Sequence, residues 1–217
     1  MGWQFVWLSF IFWLTKGINL VAHFKYRTIM KNFFLVIVAS FGFLYSTAQT
    51  KSLGLQVGYV TANVRDSDTR ANGYRLNLLY EIQPASGSVV HSFSLGFFNA
   101  KADVVEYSGG QPLDYNYSIT TWPFYYAPKF LIGKGSFQGF VKGALGMQFS
   151  TLKLTSPTDV FTSTDAGLFG GLGAGAMKSF KGNMIVSLEY EWGYLSNSYY
   201  NDGFTHSFML GVGKVLN

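Results

Sequence analysis

The chain has 217 residues, 18% of them aromatic and only 12% charged, with a formal charge of +5 and no cysteine. A disulfide framework and a thiol nucleophile are thereby excluded. Nucleic acid is not indicated either, because the excess charge sits in the first 48 residues, with four Lys/Arg and no Asp/Glu; the remaining 169 hold twelve basic and eleven acidic side chains.

Residues 30 to 50, MKNFFLVIVASFGFLYSTAQT, read as a second beginning. Lys31 supplies a basic start, Phe33 to Leu44 an apolar run, and Ser46-Thr47-Ala48 a small-residue cleavage site followed by Gln49. The expected organisation is an upstream extension at 1–29 with Met30 as initiator, a cleavable signal peptide at 30–48, and one domain at 49–217. The apolar runs before residue 49 are each shorter than the roughly 20 residues of a spanning helix and are interrupted by Lys16, Lys25, Arg27 and Lys31, which argues against a retained anchor.

From residue 49 onward the signal is a period of two. Leu53, Leu55, Val57 and Tyr59 alternate with Gly54, Gln56 and Gly58; Tyr74, Leu76, Leu78, Tyr80 and Ile82 with Arg75, Asn77 and Glu81; Phe93, Leu95 and Phe97 with Ser92, Ser94 and Gly96. A fourth segment sets Trp122, Phe124, Tyr126 and Phe130 against Thr121, Pro123, Tyr125 and Lys129. Its two prolines cannot donate ladder hydrogen bonds, which counts against a regular strand there. The fifth sets Phe137, Val141, Leu145, Met147 and Phe149 against Gln138, Lys142 and Gln148, and the sixth, AGLFGGLGAGAM, is diluted by glycine. The seventh opposes Met184, Val186, Leu188, Tyr190, Trp192 and Tyr194 to Ser187, Glu189 and Glu191; the eighth carries Phe204, Phe208, Leu210, Val212 and Leu216.

Connections alternate between tight turns (PASGS, IGKG, KGN) and longer polar links around RDSDTRAN, KADVVEYSGGQPLDY, TLKLTSPTDVFTSTD and SNSYYND. This is the asymmetry of an outer-membrane barrel, with short periplasmic turns and long extracellular loops. A soluble eight-stranded barrel would have the apolar phase inside. Eight strands enclose a lumen just wide enough for side chains, which suits Gly, Ser, Gln and Asn better than a set of Trp and Tyr. Turned outward, the bulky phase makes an apolar band with an aromatic girdle at Tyr59, Tyr74, Tyr80, Trp122, Tyr126, Trp192 and Tyr194. The expected fold is all-β: an eight-stranded antiparallel up-and-down transmembrane β-barrel.

With eight alternating strands, GLGAGAM, VSLEYEWGY and HSFMLGVGKVL, residues 49–217 resemble the small outer-membrane β-barrel domain family, porin-like and related in form to OmpA and OmpX. The resemblance implies the bacterial outer membrane as location, outer-membrane lipid and lipopolysaccharide as surroundings, the barrel-assembly machinery as a partner in biogenesis, and a monomer. It carries no catalytic residue.

The polar phase holds Arg75, Lys129 and Lys142 against Glu81, Glu189 and Glu191, a balanced set expected to form ion pairs filling the lumen, with Lys142 and Glu189 as the preferred pair. Gln138, Gln148, Asn77 and Tyr125 are expected to help fill it. GGLGAG at 170–175 reads as lumen-lining glycine rather than a nucleotide loop, since it lacks the spacing and the strand-to-helix context. Asp66-Ser67-Asp68 offers too few ligands for a metal site, and the sequon Asn116-Tyr117-Ser118 has no evident meaning in a bacterium. HSF occurs at His91-Ser92-Phe93 and His206-Ser207-Phe208. One lies after a tight turn and the other after a long link, about 25 Å apart, so they cannot form one acyl-transfer site. No enzyme activity, metal or cofactor is expected. The reading is a structural or interaction role with no open pore; the alternatives are a narrow transport or envelope-assembly component and a lipid A-modifying enzyme. The partner of the extracellular loops is not named by their sequence.

Overall fold

The computed structural model describes residues 48–64, 69–84, 87–108, 111–157, 159–197 and 199–216. The expected upstream extension and the expected signal peptide, up to Thr47, lie outside the described residues. Eight strands follow one another: β1 (Ala48–Val64), β2 (Arg70–Pro84), β3 (Val89–Ser108), β4 (Gln111–Ile132), β5 (Phe137–Thr155), β6 (Val160–Phe180), β7 (Met184–Leu195) and β8 (Tyr200–Leu216). Each pairs antiparallel with the next, and β8 pairs with β1, closing the barrel.

The alternation decides the faces. Leu53, Leu55, Val57 and Tyr59 of β1 point out and are about half exposed, while Ser52 and Gln56 in the opposite phase are buried. On β7, Leu188, Trp192 and Tyr194 are exposed, and Glu189 and Glu191 are buried. An apolar exterior that continues around a closed barrel is a lipid-facing band, and closure leaves no backbone edge unpaired in the lipid. Ile82 departs from its phase: it is buried, with Lys51 and His91 as its register partners.

β4 runs through Pro123 and Pro128, the two prolines of the fourth segment, and holds Pro112 near its start as well. The ladder gives way locally, with Trp122 and Pro123 lacking β3 partners and Ala127 and Pro128 lacking β5 partners. Gly96 faces Pro123, and a Cβ there would lie 2.7 Å from the proline Cγ. Glycine on β3 is what lets β4 keep its proline.

The longer links differ from their reading as polar loops. Most of their residues belong to strands: β3, β4, β5 and β6 are 20, 22, 19 and 21 residues long, against 12 for β7. About 9–11 residues suffice to cross the hydrocarbon, so these four strands rise beyond it as two hairpin ribbons that stay paired to each other through β4 and β5 as far as Asn116 and Thr155. The opposite rim keeps tight turns. Gly182 and Asn183 both have positive φ (85° and 64°), as a primed hairpin turn demands, and Gly133 and Gly135 do the same work between β4 and β5.

Polarity inverts where the ribbons leave the band. Low on β3, Leu95 is outside and Ser94 inside; higher up, Ala100, Ala102 and Val104 are buried inside while Lys101 and Asp103 are exposed outside. The upper lumen is therefore largely apolar rather than uniformly polar, with Thr121, Gln148 and Ser150 as a small buried polar group. Val60, Ala62, Phe98, Ile119, Phe169, Leu195, Tyr199 and Tyr200 are among the residues packed there in one cluster, with Val64, Ala71, Ala100 and Ala102 in a second.

Candidate functional site

Period two delivers the charged residues to the lumen, and the strand register sets their heights. Lys129 and Lys142 are direct partners across β4 and β5, an arrangement that repels unless carboxylates intervene. They do. Lys142 Nζ contacts Glu189 Oε1 and lies 2.5 Å from Glu191 Oε2. Lys129 Nζ is 2.6 Å from Glu81 Oε1 and 3.9 Å from Glu189 Oε2. Glu191 Oε1 takes Arg75 at 2.5 Å. Arg75, Glu191, Lys142, Glu189, Lys129 and Glu81 thus form one chain of alternating sign across the lumen, drawn from β2, β4, β5 and β7.

The chain is embedded in hydrogen bonds and rings. Arg75, 1% exposed, donates to Ser207 Oγ (3.1 Å), Tyr125 OH (3.0 Å) and Asn77 Oδ1 (3.2 Å), and its guanidinium lies 5.7–5.9 Å from the ring centres of Phe98, Tyr125 and Phe169. Gln56 Nε2 donates to Glu189 Oε2, and Asn77 Nδ2 to Gln56 Oε1. Gln148 is buried higher up, where its Oε1 accepts from Ser150; Gln138 instead sits near the turn rim and donates to the Gly133 carbonyl. Glycine makes the lumen passable for long side chains: a Cβ on Gly173 would lie 2.8 Å from Lys142 Cε. In GGLGAG, Gly171, Gly173 and Gly175 occupy the inward phase. Below the charges is a cavity of about 20 Å³, lined by Ser52, Gln56, Glu81, Lys129 and Ser187 among others, room for about one water.

The outward aromatics fall in two bands. Tyr59 pairs with Tyr74 and Phe208 toward the ribbon side, and Trp122 stands edge-on to Phe97 at 4.6 Å. Trp192 stacks on Phe204 at 4.9 Å, with Tyr194 5.4 Å from the same ring. Tyr80 and Tyr126 flank Phe93 toward the turns. Each rim also holds a histidine on a tyrosine: His91 Nδ1 is 2.6 Å from Tyr126 OH, and His206 Nδ1 is 2.8 Å from Tyr190 OH. The adjacent Ser92 and Ser207 are buried in the lumen, on the opposite face from their histidines. Neither HSF brings a base to its nucleophile. Asn116 Nδ2 donates to Asp103 Oδ1 at 2.6 Å. Asp66 and Asp68 lie outside the described residues, and among the described residues no three metal-ligating side chains gather.

Two features escape a sequence reading built on bulk outside and polar residues inside. The first is the apolar upper lumen, signalled by the inward Ala100-Ala102-Val104 of β3. The second is an open edge. Pairing between β6 and β7 begins at Phe169 and Leu195, so among the described residues β6 pairs from Val160 to Thr164 with β5 alone. Val160 and Phe161 are more than half exposed there.

No protein-family model matches the chain, and no curated protein does. Solved structures do. Neisserial surface protein A aligns with a TM-score of 0.54 at 10% identity, covering 76% of this chain and 96% of that one. A major outer membrane protein from Thermus thermophilus aligns with a TM-score of 0.50 at 11% identity, covering 76% and 99%. The fold is that of a small outer-membrane barrel. The bacterial outer membrane is its location, in keeping with the lipid-facing band, and at these identities the likeness concerns fold and not activity.

Proposed function

We propose that the protein is a membrane-held mount: a plugged barrel that stands the β3–β4 and β5–β6 ribbons above the outer leaflet for contact with a partner outside the cell. The observation carrying this reading is the open backbone edge of β6 from Val160 to Thr164 beside exposed Val160 and Phe161. Unpaired strand edges are normally blunted or covered, and an extended segment can add to one through main-chain hydrogen bonds. A channel role is disfavoured by the ion-pair chain, the apolar upper lumen and the small cavity. Catalysis is disfavoured by histidines and serines on opposite faces. Synthesis from Met30, removal of residues up to Ala48 and insertion by the barrel-assembly machinery complete the proposal.

Removing residues 153–162 from the β5–β6 ribbon tests it. The shortened protein should still form a barrel whose gel mobility changes on heating, and should fail to restore the envelope or adhesion defect of a deletion strain. Full restoration rejects the contact role. Steady porin-type conductance of the intact protein in planar bilayers replaces it with the transport reading.

A further inference from the structure

Ionic side chains outside the lumen are unequally divided between the two rims. At the tight-turn rim stand Lys134 in the β4–β5 turn, Lys178 near the end of β6, Lys181 in the β6–β7 turn and Lys214 near the end of β8, all exposed, while Lys51 near the start of β1 is half-buried at the same rim. These elements are contiguous around the wall, and among the described residues none of the four makes an ion pair. Among the described residues no Asp or Glu occupies an outward or turn position at this rim. The ribbon side instead carries Asp103, Asp114, Asp159 and Asp202, with Arg70, Lys101 and Lys153.

The surroundings of the four lysines fix the depth at which their ammonium groups act. Ile132, Phe137, Phe180, Met184 and Leu216 are exposed apolar side chains at the same rim, and Lys178 Nζ sits 5.2 Å over the Phe180 ring. Aliphatic stems against apolar surface, with charged tips free to reach the polar layer, is how lysine behaves at a lipid interface. Tight turns lie on the periplasmic side, so these tips meet the inner-leaflet headgroups.

We propose that this arc is a binding surface for anionic phospholipid headgroups of the inner leaflet, whose phosphates neutralise the four ammoniums while the neighbouring aromatic and aliphatic side chains meet the acyl chains. Clustered basic residues beside an apolar membrane segment attract anionic lipid with on the order of a fivefold preference for each lysine engaged. The surface is independent of the ribbon edge, and either proposal can fail without the other.

Native mass spectrometry of the protein purified from membranes and placed in nanodiscs of mixed phosphatidylglycerol and phosphatidylcholine is the test. Wild-type protein should retain phosphatidylglycerol over phosphatidylcholine several-fold, K134Q/K178Q/K181Q/K214Q should lose the preference, and K101Q/K153Q on the other rim should keep it. If the quadruple variant lacks heat-dependent mobility, K134Q/K181Q, with both changes in turns, should show a partial loss. Equal retention of the two lipids by wild type, or a preference unchanged by the turn-side substitutions, overturns the proposal, as does an equal loss in K101Q/K153Q.

Discussion

The lower barrel and the ribbons above it are built from the same strands with opposite instructions. On β3, Leu95 outside and Ser94 inside become Asp103 outside and Ala102 inside within eight residues, with no break in the strand. The backbone does not change; the solvent does. In lipid the exterior must be apolar and the narrow interior takes the polar groups. In water the usual order returns, and the interior packs as a small apolar core. The difference teaches that strand phase reports which residues share a face, and only the surroundings say which face is buried.

If that comparison holds, the two regions answer differently to substitution. The largest effect belongs to the lumen: Glu191→Gln leaves Arg75 and Lys142 without their shared carboxylate and is expected to cost about 3–5 kcal/mol, measured by urea unfolding in vesicles. A loss below about 1 kcal/mol would mean that the buried charges rearrange around the gap. Next comes the exterior. Leu78→Arg, in the band, should cost about 2–4 kcal/mol, whereas Val105→Arg, outward on the ribbon, should stay within about 0.5 kcal/mol. Equal costs at the two positions would erase the distinction between the regions. A smaller and more local effect is the coupling of Lys142→Met with Glu189→Gln, expected at about 0.5–3 kcal/mol in a double-mutant cycle. Additivity would mean that Glu191 alone holds Lys142.

Much of the fold is legible in the sequence because bulky residues at alternate positions are so regular in 53–59 and 184–194. Strand ends are less so. KADVVEYSGGQPLDY contains enough charge and glycine to resemble a loop, yet Asn99–Ser108 pairs with Gln111–Thr120 across it; a strand in water shows polar residues outside, and a reading tuned to lipid takes these for a connection. The six lumen charges stand in the polar phase and can be picked out there. Their partners are harder to read, since Arg75 on β2 meets Glu191 on β7 across the lumen, a contact set by barrel closure and stagger rather than by any neighbouring pair. Gly173 and Gly96 likewise look like dilution of the strand pattern until Lys142 and Pro123 occupy the space they leave.

The position of the solvent boundary is the central claim, and spin labels placed one at a time at Leu95, Phe97, Asn99, Lys101 and Asp103 on the outward face of β3 test it most directly. In bilayers the two lower labels should relax with dissolved oxygen, the label at Asn99 should mark the crossover, and the labels at Lys101 and Asp103 should relax with a water-soluble nickel complex. Oxygen-dominated relaxation continuing through Asp103, or nickel access already at Leu95, would contradict the account.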